Sequence, residues 1–149
     1  MAKYASAHQT AAGSDLGLIN LANGATVRAM LYELIIGSDA TPSDLAGELV
    51  VNRTTAAGAG GTALTESPLD SLTVAATTAA TGGTFTAQPT DTASTDLLMI
   101  GLNQRATFRW VTEITSALIG IAAAANGLFL RSVANGGTAN LNCTIHFAE

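Results

Sequence analysis

Two arginines stand four residues apart in the stretch NQRATFRWV, Asn103 to Val111, which also carries the only tryptophan, Trp110. The guanidinium group is a planar fork of donors that suits a carboxylate, a phosphate or a backbone carbonyl. Beside an aromatic ring, such a pair can belong to a nucleic-acid grip, a catalytic pair or a protein contact. With the period of a strand, Ala106, Phe108 and Trp110 point one way, and Arg105, Thr107, Arg109 and Val111 the other. The aromatic face supplies core area. The arginine face is then left either to solvent, with salt bridges to a neighbouring strand, or to a protein partner. Base stacking on Trp110 would need its ring turned outward, which the alternation disfavours.

The remaining chemistry-bearing residues are sparse. His8, His146 and Cys143 are the only histidines and the only cysteine, and their positions have no ligand spacing for a metal, which needs three or four convergent donors. In NLNCTIHFAE, Leu141, Cys143, Ile145 and Phe147 share one strand face, so Cys143 is expected buried and His146 exposed. No Gly-x-Ser-x-Gly elbow places a serine beside a base, and no catalytic residue, cofactor site or metal site is assigned. Asp39, Asp44 and Glu48 cluster around a turn, where aspartate ordinarily bonds local backbone. Glu33, inside the apolar run LYELII, is the acid expected to be buried, and it then needs a cationic partner such as one of the arginines. NRT at Asn52 and NCT at Asn142 match the glycosylation pattern by chance, because no secretory signal accompanies them.

Bulk properties narrow the function classes. The chain has 149 residues, a net charge of -5 and only 11% charged residues. That length suits one domain burying about 70% of its unfolded surface. Five of the six cations are arginines, scattered along the chain. Without a basic cluster to neutralise phosphates, nucleic-acid binding is not expected. A single cysteine allows no internal disulfide and agrees with synthesis in a reducing cytoplasm. The most membrane-like run, Ala117 to Leu130, is shorter than the ~20 residues a spanning helix needs and is interrupted by Asn126-Gly127, so no membrane is expected. Threonine, serine, asparagine, glycine and alanine must cover much of the surface, which suits a chain packed against others.

The elements that must carry these residues read as strands. TVRAMLYELIIG, from Thr26, is apolar on both faces; β-branched and aromatic residues favour a strand over a buried helix. TPSD at Thr41 to Asp44 offers one helical turn or a type I turn. GELVVNRTT, Gly47 to Thr55, reads as a strand, and AAGAGGTALTESP as a flexible loop lacking the Gly-Lys-Ser/Thr ending of a phosphate loop. GGTFTAQP reads as a short edge strand ended by Pro89. TDLLMIGLN is an apolar strand in which Gly101 marks a bulge or a close approach. NGLFLRSVA and TANLNCTIHFAE close the fold around an Asn-Gly-Gly turn at Asn135 to Gly137. TSALIGIAAAANG is either a helix ending at Gly127 or an Ala-rich loop. The sum is an all-β chain, a jelly-roll-like antiparallel β-sandwich over residues 25–149. Residues 1–24 read as an extended N-terminal arm ordered on a neighbour, or as a frayed terminus. The candidate partner-facing residues are Arg105 and Arg109, with Arg28, and Tyr4 and His8 on the arm.

The strings YELIIGSDATPSD, VVNRTTAAGAGGTALT, NQRATFRW and ANGLFLRS, with a closing strand ending HFAE, resemble small jelly-roll head decoration (cement) proteins of tailed bacteriophages. The likeness runs from about Tyr32 to the C-terminus. It implies a non-enzymatic protein on the outer capsid surface of the virion, made in the host cytoplasm. Its implied partners are the major capsid protein and itself, as homotrimers at local three-fold positions that clamp neighbouring capsid subunits. The arm, Ala2 to Asn23, would lie across a neighbouring protomer or capsid subunit, and deleting residues 2 to 20 would weaken binding without unfolding the domain. A tail or fibre component, or a jelly-roll carbohydrate-binding or adhesion module, are the alternatives.

Overall fold

A computed structural model of the chain describes residues 1–11, 16–39, 41–135 and 139–149. Twelve strands are present: β1 (Lys3–Thr10), β2 (Leu16–Ala22), β3 (Met30–Ser38), β4 (Ala46–Ala56), β5 (Thr62–Ala63), β6 (Ser67–Pro68), β7 (Ala79–Gly82), β8 (Thr90–Asn103), β9 (Phe108–Val111), β10 (Leu118–Ile119), β11 (Gly127–Asn135) and β12 (Leu141–Ala148). They form two six-stranded sheets. The first has the order β10-β3-β12-β1-β6, with β9 also on β3; the second has the order β5-β7-β2-β11-β4-β8.

Four of the pairings are nested. β1 pairs with β12, β2 with β11, β3 with β9 and β4 with β8, all antiparallel. A chain doubled into one antiparallel ribbon and rolled up gives this order, which is that of a jelly roll. The all-β sandwich expected from the sequence is therefore present. Its core lies between the sheets, where Leu18, Leu21, Leu34, Ile36, Leu49, Val51, Ile100, Leu102, Ile145 and Phe147 are buried. β12 follows the period of two read from its sequence, with Leu141, Cys143, Ile145 and Phe147 inward.

The N-terminal arm is the first correction. Residues 3–10 form an interior strand of the first sheet, paired with β12 over its whole length. Residues 16–22 form an interior strand of the second sheet. Tyr4 is fully buried, its ring stacked on Phe147 at 5.4 Å, and its hydroxyl donates to the carbonyl of Val74 at 3.0 Å. Burial pushes the Tyr4 phenol pKa up, with Glu149 adding to the shift. The sandwich thus begins at the third residue, and the termini are tied by Ala2–Glu149 backbone hydrogen bonds of 3.0 and 3.1 Å.

Other elements differ locally. The edge strand expected in GGTFTAQP lies earlier, at β7, and Phe85 folds over the outer face of the second sheet. There it meets Phe129 edge-on at 5.9 Å. Gly17 lies beneath both rings, where any Cβ would come within 2.7 Å of them. The Gly-rich loop after β4 is tied down by β5, β6 and the Ala59–Ala87 bridge. Thr41 to Asp44 form bends rather than a helical turn. Ser43 donates to the Gln104 side-chain oxygen from its N–H at 3.3 Å and its hydroxyl at 2.8 Å. Residues 117–126 are β10 and loop, with Ala125 at φ 64°, and Gly127 opens β11. Gly101 is neither a bulge nor a close approach, since its pairing with Glu48 is regular and nothing lies within 4 Å of an added Cβ. The turn expected at Asn135 to Gly137 lies mostly outside the described residues.

Candidate interaction surface

Glu33 is the acid that the sequence placed in an apolar run. A register shift between β3 and β12, at His146/Phe147, turns it to the outer face of the first sheet, beside β9 and β12. There Arg109 and His146 cover it, leaving it 8% exposed. Arg109 donates from Nε and Nη2 to Oε1, each at 2.7 Å, and His146 Nδ1 lies 2.7 Å from Oε2. The hydrogen bond with His146, and next that with Arg109, hold the Glu33 carboxyl below its ordinary pKa against the opposing effect of burial. Tyr32 adjoins this group, its ring 6.2 Å from that of His146, with the Lys3 ammonium 5.9 Å from its centroid. Burial, and next Glu33, raise the Tyr32 phenol pKa.

The arrangement makes a guanidinium–carboxylate–imidazole row on the outer face of the first sheet. Arg109 keeps 62% of its side chain exposed, and Val111, next outward on β9, is also exposed. The carboxylate fixes the direction of the Arg109 guanidinium, so Arg109 presents a fixed donor fork. Cys143 is on the inner face, where burial pushes the thiol far up and keeps it protonated. Among the described residues no group of three His, Cys, Asp or Glu side chains could hold a metal ion.

The five partner-facing candidates separate. Arg109 is on the exposed face as expected, and Phe108 and Trp110 turn the other way and pack half-buried against the core. Arg105 is not on that strand. β9 begins only at Phe108, and a turn precedes it, because Asn103 accepts the Arg105 N–H on Oδ1 and the Ala106 N–H on its carbonyl, both at 2.9 Å. Arg105 and Arg109 therefore do not share a face. Arg28 is exposed in the loop before β3, where it lines a cleft of about 310 Å³ with Thr26, Val27, Met30, Ile119 and Glu149. Among the described residues neither Arg28 nor Arg105 has an ion-pair partner. Tyr4 is core, and His8 is half-buried against Gly82 and Gly83, where burial lowers its pKa. Neither belongs to a free arm.

Sequence reasoning missed His146, half-buried rather than exposed, as the second partner of Glu33. It also missed the outer edge of β8, where Met99 is 63% exposed. The seven-residue uncharged run Leu97 to Asn103 is the signal that could have found it.

The fold and surface define a jelly-roll sandwich with polar groups arranged on its outer sheet faces. Comparison with known proteins finds no matching family model, no similar curated protein and no similar solved structure. Among the described residues, no helix is long and apolar enough to cross a membrane.

Proposed function

We propose that the chain is a non-enzymatic structural protein of a tailed-phage virion, bound in many copies to the outer surface of the head, where it ties neighbouring major capsid subunits together. The nested jelly-roll strand order carries this reading, because viral shell components use that architecture and the sequence strings set out above resemble head decoration proteins. The charge-poor surface of small residues agrees with a chain packed against others. Lectin-like domains share the architecture, but the aromatic side chains give that alternative less support. Tyr4, Phe85, Phe129 and Phe147 are buried, and Phe108 and Trp110 pack against the core, which leaves Tyr32 as the one partly exposed ring outside it.

The test is co-sedimentation of the purified protein with undecorated heads of its source virus. Saturable binding at a fixed number of copies per hexamer is expected. A folded protein that does not bind heads, but is found on tails or binds a glycan array, would replace this reading with one of the alternatives. Arg109 is expected to contribute to the contact. Arg109→Glu should weaken head binding severalfold, since it reverses a charge at an exposed donor fork. Because it also sets a like charge beside the nearly buried Glu33, the melting temperature falls too, and binding is compared at a temperature where circular dichroism shows the variant folded.

A further inference from the structure

Each sheet of an open sandwich has two edges whose backbone groups can pair with another chain, and folded proteins blunt them. Here three of the four edges end in two-residue strands, β10, β6 and β5, with the four-residue β9 alongside β10. The fourth is β8, 14 residues long, with no partner on its outer side among the described residues. Its first half is irregular, with three register shifts against β4 between Val51 and Ala56. Its second half pairs regularly from Leu98 to Asn103 and carries no proline, lysine or other charge.

The hydrogen-bond phase of that half follows from one contact. Gln104 donates to the carbonyl of Leu45 at 3.1 Å, so with alternating narrow and wide pairs Leu98, Ile100 and Leu102 face β4. The N–H and C=O groups of Met99, Gly101 and Asn103 therefore point to the open edge. Met99 and Gly101 also lie on the outer face of the sheet, exposed, beside a shallow cleft of about 470 Å³ that includes Gly47, Glu48 and Ala134.

We propose that this edge pairs antiparallel with the same edge of a second copy, with the two-fold axis at Ile100. That register sets Met99 of each copy opposite Gly101 of the other, in narrow pairs that form about four backbone hydrogen bonds. Each Met99 side chain then covers the empty space above the partner copy's glycine, where nothing lies within 4 Å of a Cβ position. Met99 and Gly101 thus complement each other only when the strands run antiparallel. The same register sets Asp96 opposite Gln104 of the second copy and brings the unpaired Arg105 to the Asp96 end of that copy. No like charges oppose one another along the pair, and a closed two-fold contact of this kind does not propagate into fibres. The contact stands independently of head binding. It doubles whatever unit the rest of the surface forms, including the three-fold unit that the phage resemblance implies.

The test is the mass of the purified full chain by sedimentation equilibrium, alongside Met99→Lys and Gly101→Pro. Lysine brings like charges to the contact at a position already exposed. Proline removes an N–H that β4 does not use, on an edge where proline is tolerated, so both variants should keep the wild-type circular dichroism. An even-numbered wild-type assembly whose mass is halved by both substitutions is expected. An odd-numbered wild-type assembly, or an even one that folded Met99→Lys leaves intact, would overturn the proposal.

Discussion

A chain lacking Ala2 to Thr10 is expected to lose its folded state, and Tyr4→Ala alone to lose about 3–5 kcal/mol of stability, the range for truncating a fully buried aromatic side chain. β1 is interior to the first sheet, so its removal strips β12 of a partner along eight residue pairs and detaches β6. It also uncovers Phe147, on which Tyr4 stacks, and leaves the Val74 carbonyl without the phenol donor. Tyr4→Phe separates these contributions. It keeps the ring and removes one hydrogen bond, at a cost of about 1 kcal/mol. Urea unfolding followed by circular dichroism measures all three. A truncated chain that still unfolds cooperatively, with an undiminished dependence on urea, would restore the picture of a detachable arm. The consequence for head binding is direct. Loss of binding by the truncated chain would report unfolding, so any tethering role has to be tested with point substitutions on exposed residues.

Why that segment misleads as sequence is physical. The inward positions of β1 are Tyr4, Ser6 and His8, only one of them a large apolar side chain, and its partner β12 lies more than a hundred residues away. Nothing local distinguishes such a strand from a polar tail; its pairing does. By contrast β12 carries Leu, Cys, Ile and Phe at alternate positions and β4 the buried run Leu49 to Val51, enough to declare themselves, and the jelly-roll class follows from the number of such strands and their turns. Asn103 shows the opposite limit. Continuous apolar and arginine alternation from 104 to 111 suggested one strand, but a single side-chain oxygen accepting the Arg105 N–H ends β8 and starts a turn. The open edge at Met99 and Gly101 has only the uncharged run Leu97 to Asn103 as its signal, because edges are a property of sheet order.

The row on the outer face was half legible: burial of Glu33 and its need for an arginine were foreseen, while His146 was assigned to solvent from the alternation of β12 alone. Its consequence is a pH dependence with a definite sign. Glu33 has a folded pKa below its unfolded value, near 4.3 for an ordinary glutamate, because His146 first and Arg109 second bond its charged form. Between those two values the unfolded chain binds the additional proton. The stabilisation is complete above the unfolded pKa and is lost as pH falls through the folded one. Glu33→Gln is expected to cost about 2 kcal/mol near neutral pH, as for a charged hydrogen-bond acceptor removed from a nearly buried site. The same variant should lose less stability than the wild type on acidification to about pH 3. Arg109→Ala should cost less than Glu33→Gln, since its exposed guanidinium is partly screened by salt. Urea unfolding at both pH values measures the difference. If wild type and Glu33→Gln lose stability in parallel on acidification, the proton uptake belongs to other carboxylates, and the row does not stabilise the fold through its charge.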